Sequence, residues 1–223
     1  MSDFSLVDHG EHEHVDPYES PEHRREAVVF GMWVFLATEI LFFGGLFTVY
    51  SVYRYEFHAA FSAASNHLDL VLGTFNTFLL LTSSLTMALA VQAGDQGNAK
   101  LAKLMLLATI ALGAGFLGVK SIEYAHKYHD GLLPVLGRPF HWEDATLVRG
   151  VQLFMSLYIG MTGLHALHMI IGIGLLGWLL AMCREKAWAE RGEAFNIVGL
   201  YWHFVDLAWI FLFPLLYLVD RFG

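Results

Sequence analysis

Five apolar stretches alternate with short polar ones along this chain. The first runs from Ala27 to Val52, the second from Leu70 to Val91, the third from Leu101 to Ile122, the fourth from Val151 to Cys183 and the fifth from Phe195 to Val219. A bilayer needs about 20 apolar residues to be crossed as a helix, and all five stretches meet that length. The fourth is long enough to tilt or protrude. The pattern therefore predicts an all-α membrane protein, a bundle of five transmembrane helices. The links are short and polar except between the third and fourth spans, where a stretch with Pro134, Pro139, Trp142 and several charges is placed as a cap on one membrane face.

Ahead of the spans, residues 1–26 form a polar tail with His9, His12, His14 and His23, and residues 27–223 make up the membrane domain. The tail lacks the basic start and apolar core of a secretory signal and reads as retained. Its composition is that of a solvated flexible segment; weak metal binding by its histidines is the alternative.

Lysine and arginine set the orientation. With the N-terminus cytoplasmic, the inner set is Arg24, Arg25, Lys100, Lys103, Arg184, Lys186 and Arg191, and the outer set is Arg54, Lys120, Lys127, Arg138, Arg149 and Arg221. The inner residues sit in short segments, while the outer ones include the long link and the extreme C-terminus. That pattern predicts N-terminus cytoplasmic, C-terminus outside.

Composition agrees with membrane burial. Hydrophobic residues make up 56% of the chain and charged ones 15%, against about 25% charged in soluble domains. The mean hydropathy is +0.50. The net charge of −8 sits in the tail and loops and gives no basic face for nucleic acid. A single cysteine, Cys183, cannot form an internal disulfide.

Small residues recur at four-residue spacing as Ala111/Gly115, Ala114/Gly118, Ser156/Gly160 and Thr162/Ala166, a spacing that lets helix backbones approach closely in lipid. Pro214 predicts a kink in the fifth helix or its accommodation by neighbours.

Ionisable side chains inside the spans carry the functional signal, because a charge at membrane depth is costly unless paired, protonated or facing protein. Glu39 lies within Phe35-Leu36-Ala37-Thr38-Glu39-Ile40-Leu41-Phe42-Phe43, and His165 and His168 lie in the fourth span. The fifth carries Tyr201-Trp202-His203-Phe204-Val205-Asp206, where His203 and Asp206 share one helix face and can satisfy each other. Counted from the inner ends, Glu39 and Asp206 come out about 16 Å deep, His203 about 12 Å and His168 about 21 Å. One polar layer could collect them all. Desolvation leads one to expect a Glu39 that is protonated or paired. Glu123, beside Lys120, falls at the opposite interface.

Such a layer has several uses: haem ligation, a di-metal centre oxidising a lipid, a proton relay in a transporter, or a network that fixes helices and docks a partner. Histidines spaced i, i+3 on one helix cannot place two axial ligands across a haem. A stand-alone membrane metal oxidase needs more histidines at the membrane edge. A transporter normally shows internal repeats or broken helices, which the five spans do not display.

Tyr201-Trp202-His203-Phe204-Val205-Asp206 with Trp209 resembles the last-helix signature of subunit III of haem-copper terminal oxidases. Thr162-Gly163-Leu164-His165-Ala166-Leu167-His168 is similar to that family's penultimate helix, Thr38-Glu39-Ile40-Leu41 to its buried-glutamate helix and Ser121-Ile122-Glu123-Tyr124 to its Glu-Tyr motif. The resemblance implies a chain without haem or copper, those groups lying in partner subunits. It implies docking on oxidase subunit I, with subunit II and a small subunit IV as neighbours, and bound phospholipids easing oxygen entry. Its roles would be to stabilise subunit I and sustain proton uptake there. Glu39, His165, His168, Trp202, His203 and Asp206 would form the buried polar layer and contact to subunit I; Glu123 and Trp209 would be interface or lipid contacts. Two helices found at the start of mitochondrial-type chains are missing, as in five-helix bacterial forms of the plasma membrane. Glutamate at position 39 favours a cytochrome c oxidase; a bo-type quinol oxidase or an accessory protein of a nitric oxide reductase are the alternatives.

Overall fold

The computed structural model describes residues 21–133, 140–182 and 192–218. His9, His12 and His14 of the tail, Pro134 and Pro139 of the long link, and the span ends Cys183 and Val219 lie outside these residues. Among those described, the secondary structure is helical throughout: α1 Pro21–Glu56, α2 His58–Asn66, α3 Leu70–Asp95, α4 Ala99–His129, α5 Val148–Met182 and α6 Gly192–Phe213, closed by a π-helical turn, Pro214–Leu218. Five of these helices are long and apolar enough to cross a membrane.

Helix α1 begins within the predicted tail, at Pro21. Proline's fixed φ suits the first turn of a helix, and its missing N–H falls where no intrahelical acceptor exists. Helix α2 was not foreseen. It is nine residues, mostly Ala and Ser between His58 and Asn66, too short and too mixed to register as a span. Ala60, Phe61, Ala64 and Ser65 are buried, and the Ser65 hydroxyl donates to the Leu216 carbonyl at 2.7 Å. The segment thus plugs the end of the bundle beside α5 and the π turn.

Caps mark two of the helix starts. The Asp69 carboxylate accepts from the N–H groups of Val71 and Leu72 at 2.9 and 3.1 Å, and the Asn98 side chain accepts from Leu101 N–H at 3.2 Å. Each satisfies donors that the first turn leaves open. Between α3 and α4, Gly97 takes φ +73, a conformation glycine adopts without strain. In the described part of the long link, Thr146 donates to Asp144 Oδ1 through its hydroxyl and its N–H at 2.6 and 2.9 Å. Those two bonds hold the exposed Asp144 carboxyl below the usual range.

Helices α3 and α4 form the most extensive pair, and α6 packs on α3 and α5. Helix α6 is the most buried span and α1 the least. Trp202 of α6 explains how α6 reaches the centre. A Cβ on Gly113 of α4 would stand 2.8 Å from its indole, and one on Gly172 of α5 2.9 Å from the other side of the ring system. The indole fills a slot that only two glycines leave open.

Three of the four small-residue pairs expected to set close approaches do not do so, whereas Thr162 of the fourth is buried and its hydroxyl meets that of Tyr124 on α4. Ala111, Ala114, Gly118, Ser156 and Gly160 are exposed, and nothing stands within 4 Å of a Cβ placed on Gly118 or Gly160. Glycine is common in membrane helices for other reasons, and here the large residue that a glycine faces decides which one matters. The kink expected at Pro214 takes the form of the π turn. Proline lacks the N–H of an i→i−4 bond, and the rewound turn turns Tyr217 inward against Gly73, where a Cβ would come within 2.9 Å of the phenol ring.

Substituting Gly172 by Leu should therefore destabilise the bundle by about 1–3 kcal/mol through overpacking against Trp202. Gly160→Ala should stay within about 0.5 kcal/mol of the parent. Thermal unfolding of the two variants in the same detergent checks the contrast.

Candidate functional site

Helical geometry splits the two histidines of α5. Residues three apart differ in direction by about 60° around a helix, enough to point His165 into the bundle and His168 toward α1. His168 Nδ1 donates to the carbonyl of Leu164 at 2.8 Å, and its Nε2 lies 3.1 Å from Glu39 Oε2. The Tyr201 hydroxyl of α6 donates to the His168 carbonyl at 3.1 Å. Phe43 lies 5.5 Å from the imidazole, centre to centre. The pair keeps some access from outside, with side-chain exposures of 19% for Glu39 and 13% for His168. Glu39 is thus paired.

His165 is fully buried between Phe116 and Trp209, whose rings lie 5.3 and 5.1 Å away. Its Nε2 donates to the Val205 carbonyl of α6 at 3.1 Å, while Nδ1 has no hydrogen-bond partner among the described residues.

Helix α6 is stitched to α3 by three side-chain bonds spread over two turns. Trp202 Nε1 donates to Ser83 at 2.9 Å, His203 Nδ1 bonds the Ser84 hydroxyl at 2.7 Å, and Trp209 Nε1 donates to Thr77 at 3.1 Å. The expected His203–Asp206 pair is not formed. Ser84 takes the imidazole instead, and neither Asp206 oxygen has a hydrogen bond of good geometry among the described residues, although the same Ser84 faces the carboxyl. A shared helix face permits a contact; a hydroxyl from the facing helix offers better geometry.

The single polar layer accordingly resolves into separate contacts: Glu39 with His168, His203 with Ser84, and His165 with the α6 backbone. Trp202, His165 and Asp206 are 0%, 0% and 3% exposed, so they offer no side-chain surface to a partner; Trp202 and His165 join helices of this chain. Glu39, His168 and His203 remain partly exposed. Among the described residues, no three His, Cys, Asp or Glu side chains converge in a way that could hold a metal ion.

The largest polar cluster was missed. Lys120 Nζ of α4 donates to Glu123 Oε2 at 2.9 Å, to the Tyr158 hydroxyl of α5 at 3.0 Å and to the Tyr217 hydroxyl of the π turn at 2.8 Å. Both phenols in turn donate to Glu123 Oε1, at 2.9 and 2.6 Å. Every ammonium and phenol proton finds an acceptor, the condition for tolerating a buried ion pair. The ammonium also lies 5.0 Å from the centre of the Trp209 ring, within cation–π range. Two turns beyond Lys120, Lys127 Nζ donates to the His67 carbonyl.

Glu123 and Trp209 were expected as interface or lipid contacts, yet they are 1% and 0% exposed. The third span was ended at Ile122, whereas α4 continues to His129, which sets Glu123 about 9 Å inside the helix end. The Lys-x-x-Glu spacing on an apolar helix, with a tyrosine in each of the next two spans, was the signal in the sequence. Lys120→Met leaves the carboxylate buried without its cation and should cost about 3–5 kcal/mol. The double change Lys120→Met with Glu123→Leu should cost less than the single one, as measured by thermal unfolding in a mutant cycle.

The family model for cytochrome c oxidase subunit III matches residues 20–220 of this chain. Quinol oxidase subunit 3 of Bacillus spizizenii is 31% identical over 219 residues, covering 97% of this chain and 100% of that protein. Cytochrome c oxidase subunit 3 of Thermostichus vulcanus is 32% identical over 220 residues, covering 97% and 94%. With its five membrane-spanning helices, the chain belongs to the subunit III family of haem-copper terminal oxidases.

Proposed function

We propose that this chain is the non-redox third subunit of a proton-translocating terminal oxidase, bracing subunit I through helix α1. The observation that carries this reading is the state of α1. It is the least buried span, it exposes Phe30, Trp33, Ile40 and Leu41 by 59–75%, and the partly exposed Glu39–His168 pair lies along it. A polar pair at membrane depth on an otherwise apolar, open helix is better placed against protein than against acyl chains. The buried side chains of α3 to α6 form the rigid part that holds α1 out. His203, partly exposed beside Ser84, is a second polar position for contact with subunit II or a small subunit IV. The N-terminus is placed on the cytoplasmic side and the C-terminus outside, which sets α2 and the Lys120 cluster toward the outer face.

Phospholipid belongs to the same reading. A groove of about 310 Å³ runs between the first halves of α1 and α6, with Arg25 and Glu193 at its polar end and Val29, Trp33, Ile197 and Leu200 below. That gradient suits a phosphate headgroup over an acyl chain. The chain's contribution to turnover is then indirect: it holds subunit I in shape, keeps its proton-uptake side supported and keeps lipid ordered beside it.

The first reading of the electron donor is cytochrome c. Quinol is the second, favoured by relatives of that name at 30 and 31% identity against 32% for the relative named as a cytochrome c oxidase subunit. In oxidase purified from cells expressing Ile40→Arg, a charge on the open face of α1 should strongly reduce the amount of this chain that co-purifies. Oxygen uptake by the wild-type complex should follow reduced cytochrome c. Full retention of the variant subunit would remove the docking reading, and uptake with quinol alone would move the donor.

A further inference from the structure

Asn76 lies on the buried face of α3, one turn after Gly73 and one before Leu80, and is 0% exposed. Its side-chain amide carries two N–H donors and an oxygen that accepts. Among the described residues, neither Nδ2 nor Oδ1 has a hydrogen-bond partner. An amide closed off from solvent and left without partners is far costlier to bury than a leucine of similar size. Something in the core has to answer it.

The polar groups placed around Asn76 are already committed. The next residue, Thr77, accepts the indole N–H of Trp209 at 3.1 Å and spends its own proton on the Gly73 carbonyl at 2.9 Å. Gly73 itself lies against the Tyr217 ring. On α4, a Cβ at Gly115 would stand 3.7 Å from Leu79. In this antiparallel pair Asn76 therefore comes level with the following turn of α4, where Phe116 and Lys120 are buried. The ammonium protons of Lys120 go to Glu123, Tyr158 and Tyr217, and both phenol protons go to Glu123.

A second unanswered atom borders the same indole. His165 of α5 lies 5.1 Å from the Trp209 ring, centre to centre, and is 0% exposed. Its Nε2 is taken by the Val205 carbonyl, and Nδ1 has no partner among the described residues. What completes these groups must fit a closed core and must both donate and accept. Water meets both conditions, and buried polar groups in proteins are commonly completed this way. We propose that ordered water is bound beside Trp209, between the Asn76 amide and His165 Nδ1. The site carries the polar region that begins at Lys120 toward the middle of the bundle. The aromatic rings of this region offer an amide N–H only weak contacts with their faces, and offer its oxygen nothing comparable.

X-ray radiolysis followed by mass spectrometry tests this, because a bound water struck by the beam becomes a hydroxyl radical in place and oxidises the side chains beside it. Phe116 and Phe154 make the comparison, since both are 0% exposed. Phe116 packs on His165 and Trp209, whereas Phe154 packs on Tyr50 and Phe61. In the complex that this chain forms, purified in detergent, Phe116 should be oxidised several-fold faster than Phe154. Asn76→Leu keeps the volume and removes the amide, and should bring Phe116 down to the rate of Phe154. Equal rates in the wild type would overturn the proposal and leave the amide resting on ring faces. Oxidation of Phe116 that Asn76→Leu leaves unchanged would overturn it as well. The wild-type comparison decides by itself if that variant does not assemble.

Discussion

A polar side chain at membrane depth has to be answered by another group of the protein, because lipid offers it neither water nor a partner. That constraint orders this structure. Trp202, His203 and Trp209 place their ring nitrogens on Ser83, Ser84 and Thr77, and those bonds determine how α6 lies on α3. His165 reaches the α6 backbone, and Lys120 gathers Glu123 and two tyrosines at the other end. Packing then fits around these bonds. The glycines that matter are those that give way to Trp202 and Tyr217, large side chains already held in place by their polar ends.

The same constraint separates the bundle into two parts. Helices α3 to α6 share polar seams and bury Lys120, Glu123, His165 and Asp206. Helix α1 stands outside this arrangement, attached by aromatic contacts and by Glu39 on His168. In the proposed function, a helix that exposes bulky apolar residues together with a polar pair is a surface that meets protein. Membership of the subunit III family implies partner subunits that such a surface would meet. The functional reading proposed is therefore one of bracing and support.

Much of this was legible in the sequence. The spans were found because about 20 apolar residues in a row have no other common explanation, and Glu39, His168 and Asp206 stood out because charge is rare there. What sequence could not give was direction. His203 and Asp206 share a face, yet the choice between each other and Ser84 depends on the rotation of α3, which no local pattern encodes. Glu123 looked interfacial because α4 was ended at the last apolar residue, although a lysine whose charge is met by neighbours lets the helix continue. Helix α2 is too short for periodicity to reveal. Three of the small-residue pairs misled because spacing says which residues could face a neighbour, while only the neighbour's side chain says which do.

The docking of α1 is the central claim, and a photo-activated cross-linker placed at Leu41, which is 75% exposed on α1, tests it most directly. In the assembled oxidase the account predicts an adduct with subunit I from that position and none from Phe78, 64% exposed on α3. Capture of subunit I from Phe78, with only lipid adducts from Leu41, would contradict it.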